Sequence, residues 1–150
     1  KGYVDDTHIF RCPAAGGQGF IYQTTLDDFP AGAAVGYSYQ HSIGGGLRLG
    51  GKRGDQMISA VPVLADVSPL FDLGKFDATQ FGLNSRNHDR DGQNVLYLSG
   101  DVRWARSAKA GVFDDDIYTV RGVTSYRGTE QPADSSDTFL LPALPQKESP

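Results

Sequence analysis

From Asn94 to Trp104 the chain reads NVLYLSGDVRW, two short runs of strand-forming residues on either side of Ser99-Gly100. β-branched and aromatic residues broken by a small, turn-competent pair favour an antiparallel hairpin and leave no room for a helical face. A two-residue turn at Ser99-Gly100 sets Leu98 opposite Asp101, Tyr97 opposite Val102, Leu96 opposite Arg103 and Val95 opposite Trp104. Val95, Tyr97, Val102 and Trp104 then share one face, which must pack on a core. Asp101 and Arg103, on the other face, reach each other or water.

The rest of the chain points the same way. Long apolar patterns of helical period are absent, and 19 glycines separate short β-branched and aromatic runs. The expected class is α+β, β-dominated, built on an antiparallel sheet. Strands are expected at Gly19 to Thr24 and at Ala34 to His41, where Val35, Tyr37 and Tyr39 alternate with small or polar residues, so that one face is buried. Met57 to Val67 is the most apolar stretch and reads as a core strand, with Pro62 at an edge or a strand start because it cannot donate to a ladder. Asp66 closes that run, where a carboxylate is costly unless something pairs with it. Phe71, Phe76 and Phe81 cap the core from short turns, and VFDDDIYTV reads as a short strand interrupted by three aspartates. Gly44 to Gly54 reads as a surface loop and lacks the spacing of a phosphate-binding loop.

Two parts are expected: a globular head over residues 1–122 and a Pro/Ser-rich tail over residues 123–150. The tail has one apolar patch, from Phe139 to Leu144. That patch either packs back on its own domain or makes an assembly contact through Phe139, Leu140 and Leu141.

Length and charge then exclude several classes. A chain of 150 residues buries one modest core. Its 14 basic against 18 acidic residues, a formal charge of -4, have the wrong sign for a nucleic-acid partner. A single cysteine, Cys12, rules out an internal disulfide framework and any cysteine-rich zinc site. No apolar run approaches the roughly 18 residues of a membrane span. The opening KGYVDDTHIF has no initiator methionine and reads as a processed or truncated product.

Chemistry concentrates just ahead of the hairpin. Asn87, Asp89 and Asp91 take positions one, three and five of an oxygen-donor loop, and Gly92 takes the sixth. That spacing suits calcium. Leu98 stands where a bidentate glutamate belongs, so the site must recruit another carboxylate, Asp66 or one of Asp114, Asp115 and Asp116. The other reading is an Asx-rich turn whose side chains bond their own backbone. His88 has the makings of a general base, yet no serine or cysteine sits in a nucleophile context, and Cys12-Pro13 has no motif and no evident basic partner. A hydrolytic zinc centre needs three protein ligands, and His8, His41 and His88 show no H-x-x-x-H spacing. His88 is therefore read as a structural or hydrogen-bonding residue, and the chain as no enzyme.

NHDRDGQNVLYLSGDVRW resembles the carboxy-terminal signature of pilin-like proteins of planctomycetes and related bacteria: a histidine, a glycine-rich spacer, Asn-Val-Leu-aromatic, a turn, then Val and an aromatic. The matching residues are His88, Gly92, Asn94 to Tyr97, the Ser99-Gly100 turn, Val102 and Trp104. Four further segments resemble that family in the same order: the Phe-x-Cys-Pro segment within Tyr3 to Ala14, GYSYQ from Gly36, VPVLAD from Val61 and DDDIYT from Asp114. Here the turn is Ser-Gly where the family has Asp-Gly, the spacer is one residue longer, and the family's amino-terminal apolar helix is not in the sequence. The resemblance implies a pilin-like head whose helix precedes Lys1. It implies a secreted or cell-surface subunit of a type IV pilus-like or type II secretion pseudopilus-like filament, with like subunits as partners and membrane contact only through that helix. It also implies a calcium-stabilised loop at Asn87, Asp89 and Asp91, joined by Asp66. The alternatives are a surface module binding carbohydrate or protein through Tyr22, Tyr37 and Tyr39, strand alternation burying at least two of these, and a metal-assisted hydrolase centred on His88, Asp89 and Asp91.

Overall fold

The computed structural model describes residues 7–10, 12–14, 35–41, 59–72, 75–127, 129–134 and 136–142. The expected strand at Gly19 to Thr24, with Tyr22, and the glycine-rich loop at Gly44 to Gly54 lie outside these residues. The described residues form seven strands: β1 (Tyr37–Gln40), β2 (Pro62–Asp66), β3 (Phe71–Asp72), β4 (Lys75–Phe76), β5 (Gln93–Tyr97), β6 (Val102–Ala105) and β7 (Leu140–Pro142). Five of them form one antiparallel sheet in the order β6-β5-β2-β1-β7, and β3 with β4 makes a small separate ribbon. The β-dominated class with an antiparallel sheet is thus observed. Among the described residues no helix is long and apolar enough to cross a membrane.

The hairpin forms one residue out of the expected register. Leu96 pairs with Val102, Val95 with Arg103 and Asn94 with Trp104. Tyr97 N donates to Asp101 O at 2.9 Å and Gly100 N to Tyr97 O at 2.8 Å, so three residues, Leu98 to Gly100, make the loop. Gly100 sits at φ 90, the left-handed position that closes a three-residue hairpin loop and that glycine reaches at no steric cost. A slip of one residue moves a strand's side chains to the other face. Val102 and Trp104 therefore leave the face of Val95 and Tyr97 and stand 65% and 45% exposed. Arg103 takes their place, with its guanidinium 4.8 Å from the centre of the Tyr97 ring, and still pairs with Asp101 at 2.8 Å.

The two faces of the sheet differ accordingly. One carries Ala65, Val95, Tyr97 and Leu140 into a core completed by Leu70, Ala108, Ile117 and Tyr118. Phe71, Phe76 and Phe81 close its edge as expected, and Tyr126 packs among all three with ring centres 5.0–6.3 Å apart. The opposite face carries a cross-strand row of Val102, Leu96, Leu64, Tyr39 and Leu141. In β1 Ser38 faces inward and is buried, its hydroxyl accepting from Ser68 N at 2.8 Å, whereas Tyr39 is 49% exposed.

Pro62 begins β2, as its missing N–H demands, although β2 is interior; the register shift between Pro62 and Leu64 absorbs the lost ladder bond. VFDDDIYTV is not a strand. Val112–Asp114 is a short 3-10 turn with Phe113 and Asp114 in left-handed conformation, and Lys109 with Asp116 forms a single bridge. The patch at Phe139 to Leu141 packs back on its own domain. Phe139 and Leu140 are buried, and β7 pairs with β1. Of the two readings open for the patch, packing back on its own domain is the one these residues show, β7 covering the sheet edge at β1.

Asp115 ties that segment to the turn. Its carboxylate accepts from Thr138 N at 2.7 Å, and its carbonyl from Gly111 N at 2.9 Å. Burial pushes the carboxyl up to about 6, with Asp137 adding to the shift while the Thr138 N–H and Arg121 oppose it. The folded chain thus keeps a proton that the unfolded chain loses near pH 3.8, and this contribution to stability is lost as pH rises through about 6. Asp115→Asn retains the oxygen that accepts from Thr138 and removes the ionisation. Denaturant unfolding of both proteins at several pH values is expected to show the variant gaining on the parent between pH 4 and 7. Solvent screening of this half-buried group limits the gain to roughly 1 kcal/mol.

Candidate functional site

The site is built at the end of β2, on the sheet face opposite the core. Asp66, the last residue of that strand, is fully buried. Its Oδ2 accepts from Asn94 N at 2.7 Å and from the Asn94 side-chain amide at 3.4 Å; its Oδ1 accepts from Asn87 Nδ2 at 3.1 Å. The partners that a carboxylate at this position required are therefore three amide donors and an imidazole. The carbonyl of Asp66 accepts from the Tyr118 hydroxyl at 2.8 Å, and burial, then Asp66 and Asp116, raises that hydroxyl well above the ordinary tyrosine value.

His88 reaches Asp66 from an unusual turn. His88, Asp89 and Arg90 have φ of 52, 54 and 66, three consecutive non-glycine residues in the left-handed region. Each costs on the order of 1 kcal/mol, so the surroundings must hold them. Asn87, buried at the start, donates to Gly36 O at 3.1 Å as well as to Asp66. Asn84 donates to both Arg90 O and Arg106 O at 3.0 Å and fixes the other end. Gln93 spans beneath, accepting from Ser85 N at 3.1 Å and donating to Ser107 O at 2.7 Å. Gly92 follows the turn because a Cβ there would lie 2.4 Å from Ala105 O and 2.8 Å from the Trp104 ring. Close approach, rather than a sharp turn, requires that glycine.

The turn aims the imidazole at one point. His88 Nε2 lies 3.2 Å from Asp66 Oδ2, 3.5 Å from Cys12 Sγ and 3.4 Å from Asn94 Nδ2. Trp104 stands edge-on to the ring, 5.1 Å between centres at 90°. Cys12 is buried, in a segment held to β1 by Gly36 N donating to Phe10 O at 2.9 Å. Tyr37 lies close by; burial raises its hydroxyl, and Cys12 and Asp66 add to the effect. A nucleophile relay needs the two ring nitrogens of a histidine to face different partners. Here Nε2 faces both the thiol and the carboxylate, an arrangement of converging donors.

Of the residues expected to hold calcium, Asn87 and Asp66 are brought together, with Asn87 donating to the carboxylate. Asp89 and Asp91 are exposed at the surface of the turn. Asp114, Asp115 and Asp116 lie elsewhere, Asp115 and Asp116 engaged with Thr138 and Tyr118. Cys12, dismissed for want of a basic partner, has one 76 positions away in His88. The sequence signal for it lay in the resemblance, which placed the Phe-x-Cys-Pro segment and the histidine in one ordered set. A separate aromatic cavity of about 470 Å³, lined by Tyr39, His41, Phe71, Phe76, Tyr126 and Phe139, opens at the β1–β7 edge.

Comparison with protein-family models, curated protein sequences and solved structures returned no match to this chain.

Proposed function

We propose that this chain is the globular head of a pilin-like subunit of a type IV pilus-like or type II secretion pseudopilus-like filament, acting outside the cell or at its surface, without catalysis. The apolar row across the outer sheet face carries this reading. Val102 at 65% and Tyr39 at 49% exposed flank Leu96 and Leu64, and Trp104 at 45% extends the patch. Contiguous apolar surface of this kind marks an interaction face. A filament subunit has an occupant for it in the apolar helix that the pilin-like reading places ahead of Lys1. The convergence of the resembling segments adds support: Cys12, Asp66, His88 and Asn94 meet at one point, and Tyr118 bonds Asp66 from the closing motif.

Intact mass and amino-terminal sequencing of the native polypeptide, recovered from a sheared surface fraction of its cells, test the reading. An apolar helix ahead of Lys1 with a methylated first residue is expected. A native protein that begins at Lys1 and stays monomeric overturns it.

One observation favours a second reading, a carbohydrate-binding module. Tyr39 and its aromatic neighbours line a cavity of about 470 Å³ whose rings offer stacking surface for a sugar. Saturable glycan-array binding lost in Tyr39→Ala would put that reading first.

A further inference from the structure

We propose that Cys12, Asp66 and His88 form a binding site for a divalent transition-metal ion of the zinc class. Their donor atoms, a thiol sulfur, a carboxylate oxygen and an imidazole nitrogen, all lie within 4.8 Å of one another. The separations from Nε2, 3.2 Å to Asp66 Oδ2 and 3.5 Å to Cys12 Sγ, match a shared ion. Bond lengths near 2.0–2.3 Å at tetrahedral angles place ligand atoms about 3.3–3.6 Å apart.

Three polar atoms surround Nε2: Sγ, Oδ2 and Asn94 Nδ2. Without an ion, Nε2–H donates to Asp66 Oδ2, which also accepts from the Asn94 amide. With a cation at the centre, Nε2, Oδ2 and a thiolate all direct electron pairs to one point. The Asn94 amide, 3.4 Å from both Nε2 and Oδ2, presents its oxygen as a fourth donor when its two ends exchange places.

The donor types select the metal. Thiolate with imidazole suits zinc and its neighbours, whereas calcium takes six to eight oxygens, and among the described residues the cluster holds one carboxylate. The supporting contacts of a metal site are in place too, since Asn87 holds the far oxygen of Asp66 and the Asn94 N–H the near one. Cys12 and Asp66 are buried, while the His88 side chain, 26% exposed, gives the ion its way in. Binding joins the amino-terminal segment, the end of β2 and the left-handed turn, and releases the thiol proton to solvent. The site stands independently of any filament assembly.

The test uses the full chain, reduced and stripped with a chelator. Cobalt(II) is expected to give a thiolate-to-cobalt charge-transfer band that one equivalent of zinc abolishes, and zinc is expected to raise the melting temperature where calcium does not. Cys12→Ser loses the band while keeping the far-ultraviolet circular dichroism of the parent. If that variant fails to fold, His88→Asn, at a position whose positive φ asparagine tolerates, still reports the site through loss of tight cobalt binding. Absence of the band in the folded, reduced parent overturns the proposal. So does a band that survives Cys12→Ser, or a thermal response to calcium alone.

Discussion

Asp66→Ala is expected to destabilise the domain by about 3–5 kcal/mol in urea or guanidinium unfolding, measured with chelator present. The carboxylate is fully buried and receives the Asn94 N–H, the side-chain amides of Asn87 and Asn94, and faces His88 Nε2. Removing it leaves these donors in a space closed to water on most sides, and each buried orphan costs more than the bond it made was worth. The left-handed turn also loses its anchor, since Asn87 holds it to Asp66 and Gly36. A loss of this size is a large fraction of a small domain's total stability. Asp66→Asn keeps one acceptor and is expected to fall between parent and alanine variant. A loss below about 1 kcal/mol for Asp66→Ala would mean that water replaces the carboxylate, and that the turn holds itself.

Leu140→Ala is expected to cost about 2–5 kcal/mol, whereas Leu141→Ala, one residue on, costs well under half of that. Leu140 is fully buried in the main core beside Ile117 and Tyr118, and its N–H donates to Ile117 O at 2.8 Å. Leu141 points to the opposite sheet face, across from Tyr39, and is only half-buried. A cavity at the first position has no route to collapse, because β7 is held to β1 on one side and to the segment at Ile117 on the other. The same pair of variants tests the expected division of the chain at residue 122. If the last described segment were an appendage, both substitutions would leave the unfolding midpoint where it is. With β7 as the fifth strand of the sheet, Leu140→Ala lowers it and Leu141→Ala barely moves it.

Much of this architecture was legible in local chemistry. A continuous apolar run located β2, β-branched and aromatic runs around a turn located β5 and β6, the missing N–H of Pro62 confined it to an edge or a strand start, and the aromatic trio Phe71, Phe76 and Phe81 was recognisable as packing. The cost of a carboxylate after an apolar run announced that Asp66 would need partners. At the candidate site the turn residues Asn87 and His88 stood out by type and spacing. Cys12 did not, because a thiol near the start and a histidine 76 positions later share no local pattern.

The amino-acid sequence by itself determined which segments extend and where polar groups must be satisfied, since periodicity, proline chemistry and the cost of burying charge act within a few residues. Tertiary structure alone decided the register of the hairpin, the inward face of β1, the docking of β7 and the meeting of Cys12, Asp66 and His88. The hairpin turned on Gly100 closing a three-residue loop instead of a two-residue one, a difference small in local energy that reverses the faces of Val102 and Trp104. In β1 it is Ser38, not Tyr39, that is buried. Such outcomes depend on loop closure and on volumes supplied by distant residues, which no window along the chain contains.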